Sequence, residues 1–233
     1  MILINQLLLL MHRFIFLDIG NTNTKWRYKG KSFVLPTQKF EFDKLPNSPR
    51  IYVSNVSQRV FDAANDIVTY VQSQKSYKSL INAYTKPKSL GSDRWLAMIA
   101  SYEFSQGKSF IMVDIGSAIT IDAVDKYGSH LGGLIFPGLE KIRQGFNFHT
   151  VPTGKNIAGV GESTEEAWTI GTLSIIVNTI NQKIKELEIK LPKASIFITG
   201  GGYSDLQEFI DFKHDYRENL VLDGLEFYAN NVG

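Results

Sequence analysis

Asp18-Ile19-Gly20-Asn21-Thr22 follows an apolar run, Phe14-Ile15-Phe16-Leu17, and brings a carboxylate, a glycine and two side-chain donors together. Glycine admits a tight turn and close backbone approach, and Asn21 and Thr22 can donate to a phosphate. Asp18 would then hold a metal ion or a water beside that phosphate. A plain hairpin turn closed by an Asx bond explains one such segment equally well. The segment recurs, however, as Asp114-Ile115-Gly116-Ser117-Ala118-Ile119-Thr120 after Phe110-Ile111-Met112-Val113. Ser117 and Thr120 offer hydroxyls there, and Gly116 leaves room for an anion. Two copies favour phosphate, because a clasp from both sides suits a triphosphate. Two carboxylates facing one cleft would repel each other without cations between them, which points to bound metal.

A third aspartate stands in Gly91-Ser92-Asp93-Arg94, just before a helical pattern that begins near Trp95. Asp93 is either an N-cap, with Arg94 on the surface, or a general base on a substrate hydroxyl, with Arg94 gripping an anionic group. Thr199-Gly200-Gly201-Gly202 ends an apolar strand and opens a helix. Such a turn suits approach of a nucleotide to backbone N–H groups, although a purely structural glycine turn would look the same. Gly132-Gly133 and Pro137-Gly138 bracket Leu134-Ile135-Phe136 and read as a strand end and a turn. P-loop, dinucleotide and nucleophile-elbow motifs are absent: Lys25 and Tyr102 stand where a P-loop's first glycine belongs.

The elements that must carry these residues also come in two sets. Each Asp-Gly segment is followed by a second strand-like run, Lys25-Trp26-Arg27-Tyr28 or Ile121-Asp122-Ala123-Val124, and by a turn at Lys29-Gly30-Lys31 or Tyr127-Gly128-Ser129. Past the glycines Thr24 aligns with Thr120. Helical spacing is expected over Val60, Ala64, Ile67 and Val71, over Trp95, Met98 or Ile99, and Tyr102, and over a long stripe from Ala167 to Leu187. Ala194 to Thr199 reads as a buried strand. The pattern predicts a duplicated α/β protein with a cleft between its halves, 11–108 and 109–233.

The chain has 233 residues, 43% hydrophobic and 21% charged, which suits a folded domain or two small ones. It holds no cysteine, so a disulfide scaffold, a thiolate zinc site and a cysteine nucleophile are all excluded. Its four histidines show no ligand spacing, and a net charge of +2 spread along the chain leaves no nucleic-acid footprint. A soluble protein of a reducing, cytoplasmic compartment is expected. The apolar run from Ile2 to Met11 is shorter than the roughly 20 residues of a membrane span, and its basic residues follow it rather than precede it. Residues 1–10 are therefore expected to be a start-site extension, with Met11 a plausible true start, and no membrane association is expected.

From about Phe14 onward the motif order resembles that of type III pantothenate kinases, members of the actin-like superfamily that also holds acetate kinase and sugar kinases. Asp18 to Thr22 matches DxGNT, with Lys25 the basic residue that follows; Tyr84, Pro87, Gly91, Asp93 and Arg94 match YxxPxxxGxDR. Asp114 to Thr120 matches DxGTAxT, Gly132, Gly133, Pro137 and Gly138 match GGxxxPG, and Thr164 and Thr199-Gly200-Gly201 complete the series. The resemblance implies two ribonuclease-H-like halves and transfer of the ATP γ-phosphoryl to the primary hydroxyl of pantothenate, the first step toward coenzyme A. It implies Asp93 as catalytic base, and Tyr84, Gly91, Ser92, Arg94 and Thr164 as pantothenate contacts. Asp18, Ile19, Gly20, Asn21, Thr22 and Lys25 would contact phosphates, with Mg²⁺ at Asp18. Ser117, Thr120, Thr199, Gly200 and Gly201 would line the nucleotide, and a monovalent cation (K⁺ or NH₄⁺) would lie by Asp114. A homodimer is also implied. Ser117 replaces the family's usual threonine, and Gly145 to Gly161 lacks its Leu-Pro pattern. Two alternatives are a superfamily kinase for another small hydroxy acid or sugar, and a non-catalytic regulatory relative.

Overall fold

The computed structural model describes residues 13–59, 61, 66–146 and 154–232. The expected extension at 1–10, Met11, Val60 and Ala64 lie outside them. Gly107–Glu218 forms one compact unit, and the described residues to either side of it form another.

In the first unit β1 (Ile15–Ile19), β2 (Asn23–Tyr28), β3 (Lys31–Pro36), β4 (Ile51–Asn55) and β5 (Val68–Tyr70) form one sheet in the order β3-β2-β1-β4-β5. The first three are joined antiparallel, while β4 and β5 run parallel to β1. Lys29 and Gly30 close the β2–β3 hairpin with φ of 49° and 72°, the left-handed pair that matches strand twist. Ile15, Leu17 and Ile19 enter a core with Phe40, Ile51 and Val53, so alternation turns Asp18 to the other face. The helix expected to include Ile67 and Val71 is absent there. Ile67 lies in a turn and Val71 directly follows β5, because Ile67-Val68-Thr69-Tyr70-Val71 is a β-branched and aromatic run that favours a strand. A small hairpin, β6 (Ser76–Tyr77) and β7 (Leu80–Ile81), leads to α1 (Ser92–Ser105). Six consecutive residues of α1, Trp95 to Ala100, are 0% exposed, so this helix is enclosed on every side rather than along one stripe.

The second unit repeats the design. β8 (Phe110–Ile115), β9 (Ala118–Val124), β10 (His130–Pro137), β11 (Ser195–Thr199) and β12 (Asp215–Tyr216) follow the order β10-β9-β8-β11-β12, again three antiparallel strands and then two parallel ones. This is a ribonuclease-H-like sheet made twice, and the chain is an α/β protein of two such units. Helices α2 (Leu139–Gln144), α3 (Thr164–Lys190) and α4 (Tyr203–Leu206) join its strands. In α3, Leu173, Ile176, Val177, Ile180 and Ile184 bury a face against Ile111, Val113, Ile115, Ile119 and Ile121. Ser163 caps that helix by accepting from the Glu166 N–H (3.2 Å), and Glu166 accepts in return from the Glu162 N–H (2.9 Å). Across a bulge between His130 and Gly133, the fully buried His130 ring meets Asp122 at 2.9 Å and ties β10 to β9.

The last helix, α5 (Leu220–Val232), packs with the first unit, whereas the sequence alone kept 109–233 together. Its buried residues Leu220, Leu222 and Leu225 need an apolar partner, and α1 supplies one. Gly224 stands at the crossing, where an added Cβ would lie 2.0 Å from the Leu96 carbonyl oxygen. Arg27 on β2 adds ion pairs to Asp223 (2.7 Å) and Glu226 (2.6 Å). Burial pulls the Arg27 pKa down, but the two carboxylates outweigh it and leave it raised. Replacing Gly224 by Val is expected to lower stability by about 1–3 kcal/mol through overpacking. A chemical denaturation curve checks this, and a wild-type midpoint would show that α5 does not approach α1 so closely.

Candidate active site

Asp18 is the next-to-last residue of β1, half-buried, with Lys25 opposite on β2 and Ser54 opposite on β4. The turn beyond it closes through Gly20 N–H to the Asn23 carbonyl (3.0 Å), and Asn21 and Thr22 are exposed. Ile19 is 0% exposed and belongs to the core, so only its backbone remains for binding, and its carbonyl already accepts from Val56 N–H (3.1 Å). The two Asp-Gly turns are not superposable residue for residue. Ile19 pairs with Thr24 but Ile115 pairs with Ile119, so the first turn is one residue longer. Asp114 therefore faces Thr120, whereas Asp18 faces Lys25. Thr24, aligned with Thr120 by sequence, instead points to the core side and bonds the buried Thr37 hydroxyl at 3.0 Å.

Gly91, not Asp93, is the N-cap of α1, and Asp93 sits within the first turn with Oδ1 accepting from the Arg94 N–H (2.7 Å). The capping alternative for Asp93 is thereby removed. Arg94 is 5% exposed rather than on the surface; its Nη1 donates to the Tyr84 hydroxyl (3.1 Å) and its guanidinium lies 5.8 Å from the Tyr84 ring centre. Ser92 and Ser54 share a hydroxyl hydrogen bond (3.0 Å) that ties the start of α1 to β4. Ser73 donates to the Leu90 carbonyl (2.8 Å) and steadies the approach to Gly91. Asp93, Arg94 and Tyr84 thus form one local group in the first unit.

In the second unit Asp114 lies between Thr120 on β9 and Thr199 on β11. The Thr120 hydroxyl is buried and has no hydrogen-bond partner among the described residues. Gly200 has φ of +100°, and a Cβ there would stand 2.3 Å from the Ile115 carbonyl oxygen and 2.5 Å from Asp114 Oδ1. Only glycine lets the chain pass over that carboxylate. Open space lies outside Gly201. Since α4 is a single short turn, the affinity expected of a helix N-terminus after Thr199 has no helix behind it. Ser117 accepts the Gly138 N–H at its carbonyl (2.9 Å) and so joins the Pro137-Gly138 turn to this group. The Tyr216 pKa is raised, first by burial and then by the charges of Glu218, Tyr203 and Asp114. Thr164 opens α3 and is exposed.

Asp114 stands between Thr120 and Thr199 on the neighbouring strands, whereas Asp18 stands between Lys25 and Ser54, and no group of three or more His, Cys, Asp or Glu that could hold a metal ion exists among the described residues. The hydroxyl-bearing neighbours of Asp114, with the orphaned buried hydroxyl of Thr120, fit a hard cation, and Lys25 opposite Asp18 fits phosphate, rather than a dedicated protein-only metal cage. No motif marks Thr37, Arg59, Ser54 or the Asp122–His130 pair. Single threonines and arginines carry no spacing signal; an Asp and a His on neighbouring β-positions were the nearest thing to one.

The family model for type III pantothenate kinase matches residues 49–186. A type III pantothenate kinase from Hahella chejuensis is 35% identical over 93% of this chain and 97% of its own. The chain belongs to the type III pantothenate kinase family. A relative of the same description from Alcanivorax borkumensis is 32% identical over 92% of this chain and 98% of its own. Among solved structures, a Campylobacter jejuni protein described as a Baf family transcriptional activator is 25% identical with a TM-score of 0.66, covering 93% of this chain and 98% of its own. For this member of the pantothenate kinase family, Gly200→Ala is expected to cost roughly 1–3 kcal/mol from backbone strain alone, with Asp114 displaced as well. Thermal melts with and without Mg·ATP check this: a wild-type melt and a wild-type ligand shift would contradict the tight passage over Asp114.

Proposed function

We propose that the chain phosphorylates pantothenate at its primary hydroxyl with ATP, giving 4'-phosphopantothenate for coenzyme A synthesis. The observation that carries this reading is the joining of Asp93, Arg94 and Tyr84 at the start of an enclosed helix, in a chain that belongs to the type III pantothenate kinase family. Asp93 takes the proton of the hydroxyl as its oxygen attacks the γ-phosphorus, and the bond from that phosphorus to the bridging oxygen breaks to release ADP. Arg94, held by Tyr84, binds the pantothenate carboxylate, with Gly91, Ser92 and Thr164 as further contacts. Asp18, Gly20, Asn21, Thr22, Lys25 and the Ile19 backbone hold phosphates, and Ser117, Thr120, Thr199, Gly200 and Gly201 line the nucleotide. Asp18 would hold Mg²⁺ shared with the phosphates, and the bound ion would supply charge neutralisation. A monovalent cation at Asp114 would be bound by the carboxylate, and the orphaned Thr120 hydroxyl supports that placement.

The same reading carries a homodimer and a cytoplasmic location. Leu131, Leu134 and Ile135 stand exposed on edge strand β10, and an open sheet edge with apolar side chains is of the kind a second copy covers. No helix among the described residues is long and apolar enough to cross a membrane. A regulatory role is the second reading, favoured by the description of the Campylobacter jejuni protein. Retention of Asp18, Asp93 and Asp114 weighs against it, since regulation alone has no use for them.

A coupled ADP-release assay with Mg·ATP and pantothenate, in K⁺ and in Na⁺ alone, is expected to show pantothenate-dependent turnover that rises with K⁺. Asp93→Asn should keep the wild-type melt and lose about 10²–10⁴ in rate. Release indifferent to pantothenate would point to another acceptor, no release would favour regulation, and near-normal turnover of the variant would remove Asp93 from its role.

A further inference from the structure

Thr37 begins a short 3-10 turn after β3, is 2% exposed, and matches no motif. Its N–H donates to the Thr22 carbonyl (2.9 Å) and its hydroxyl to the Gly20 carbonyl (2.7 Å). The same hydroxyl lies 3.0 Å from that of Thr24, which is 0% exposed. On its other side the Thr37 carbonyl accepts from Arg59 Nη1, which also reaches the Phe40 carbonyl (3.3 Å). Arg59 is presented by a folded segment after β4. Asn55 Oδ1 accepts from the Ser57 N–H (3.0 Å) and hydroxyl (2.8 Å), while the Asn55 amide donates to the Arg59 carbonyl (3.1 Å). The Arg59 guanidinium also lies 4.8 Å from the Phe61 ring centre.

These bonds decide which way the turn's peptide groups face. In a trans peptide the carbonyl of one residue and the N–H of the next point in opposite directions. A Gly20 carbonyl drawn onto Thr37 turns the Asn21 N–H away from it, and a Thr22 carbonyl drawn there does the same to the Asn23 N–H. An anion-binding turn needs this division, with carbonyl oxygens hidden and amides presented. Without the Thr37 hydroxyl the Gly20 carbonyl would lose the donor that draws it inward, and turned toward the side of the amides it would repel phosphate oxygens.

We propose that Thr37 is the positioning residue of the Asp18–Thr22 turn, its N–H and hydroxyl locking the Thr22 and Gly20 carbonyls inward so that the turn's amides face nucleotide phosphates, with Arg59 holding Thr37 in place. This rests on the kinase reading above and adds to it a residue that touches neither substrate. The loss should fall on nucleotide affinity and leave the pantothenate KM alone, a split that a general loss of stability would not produce.

Isothermal titration of Mg·ATP needs no acceptor and measures this directly. Thr37→Val, which keeps the shape and removes the hydroxyl, is expected to raise the Kd for Mg·ATP about tenfold, the scale of one hydrogen bond near a charged ligand. Thr37→Ser keeps the hydroxyl and should stay within about twofold of wild type, and Arg59→Ala, acting one step further out, should raise Kd about threefold. In steady-state kinetics Thr37→Val should raise the KM for ATP and leave that for pantothenate unchanged. A folded Thr37→Val protein with wild-type Kd, or a Thr37→Ser protein as weak as Thr37→Val, would overturn the assignment. Should Thr37→Val fail to fold, a wild-type Kd in Arg59→Ala would overturn it instead. Wild-type protein that binds no Mg·ATP would overturn the kinase reading itself, and the assignment of Thr37 with it.

Discussion

Ile15, Leu17 and Ile19 enter the core of one sheet, and Ile111, Val113 and Ile115 enter the core of the other. A strand alternates its side chains, so this apolar choice forces Asp18 and Asp114 onto the opposite faces. Each strand then turns straight back into an antiparallel neighbour, and the backbone of that tight turn gathers beside the carboxylate. Apolar burial on one face and a reversing turn at the end are enough to make a carboxylate-and-amide group, and the fold makes it twice. Every other feature of the site refines that arrangement.

The refinements differ between the units. Gly200 lets β11 end directly over Asp114, where any side chain would meet the carboxylate. Around Asp18 the work falls to hydrogen bonds, with Thr37 gathering the turn's carbonyls and Lys25 standing across the strand pair. The burial of Trp95 to Ala100 in α1 gives Asp93 and Arg94 a rigid base, and α5 closes over that helix because Gly224 permits a backbone-to-backbone approach. On the proposed reading the buried Arg94 guanidinium, oriented by its bond to the Tyr84 hydroxyl, would serve as a preorganised anion receptor.

Much of this was legible in the residues themselves. The duplicated hairpins could be read because a buried strand followed by Asp-x-Gly is a dense local signal, and the stripe of α3 could be read because 27 residues give a helical period room to show. What failed to show depends on length or on distance. The match of Thr24 to Thr120 broke on a single extra turn residue, which shifts every later side chain to the other face. Ile67 and Val71 fell at helical spacing by chance in a segment whose β-branched side chains prefer a strand. The return of α5 to α1, and the bonds from Thr37 to Gly20 and Thr22, join residues far apart in the chain, and no local pattern encodes them. Among the candidate site residues, Arg94 bonds Tyr84 and lies beside Asp93, a contact between residues of one sequence segment, while the Ile19 side chain is buried in the core.

The proposed function requires phosphoryl transfer to an alcohol, as distinct from hydrolysis of ATP. Phosphorus NMR of the protein with Mg·ATP and pantothenate reads it most directly. A phosphomonoester signal coupled to the methylene protons beside the former primary hydroxyl is expected, growing as the ATP γ-phosphorus signal falls and ADP appears. Inorganic phosphate growing in its place, or an ATP spectrum unchanged by pantothenate, would contradict it.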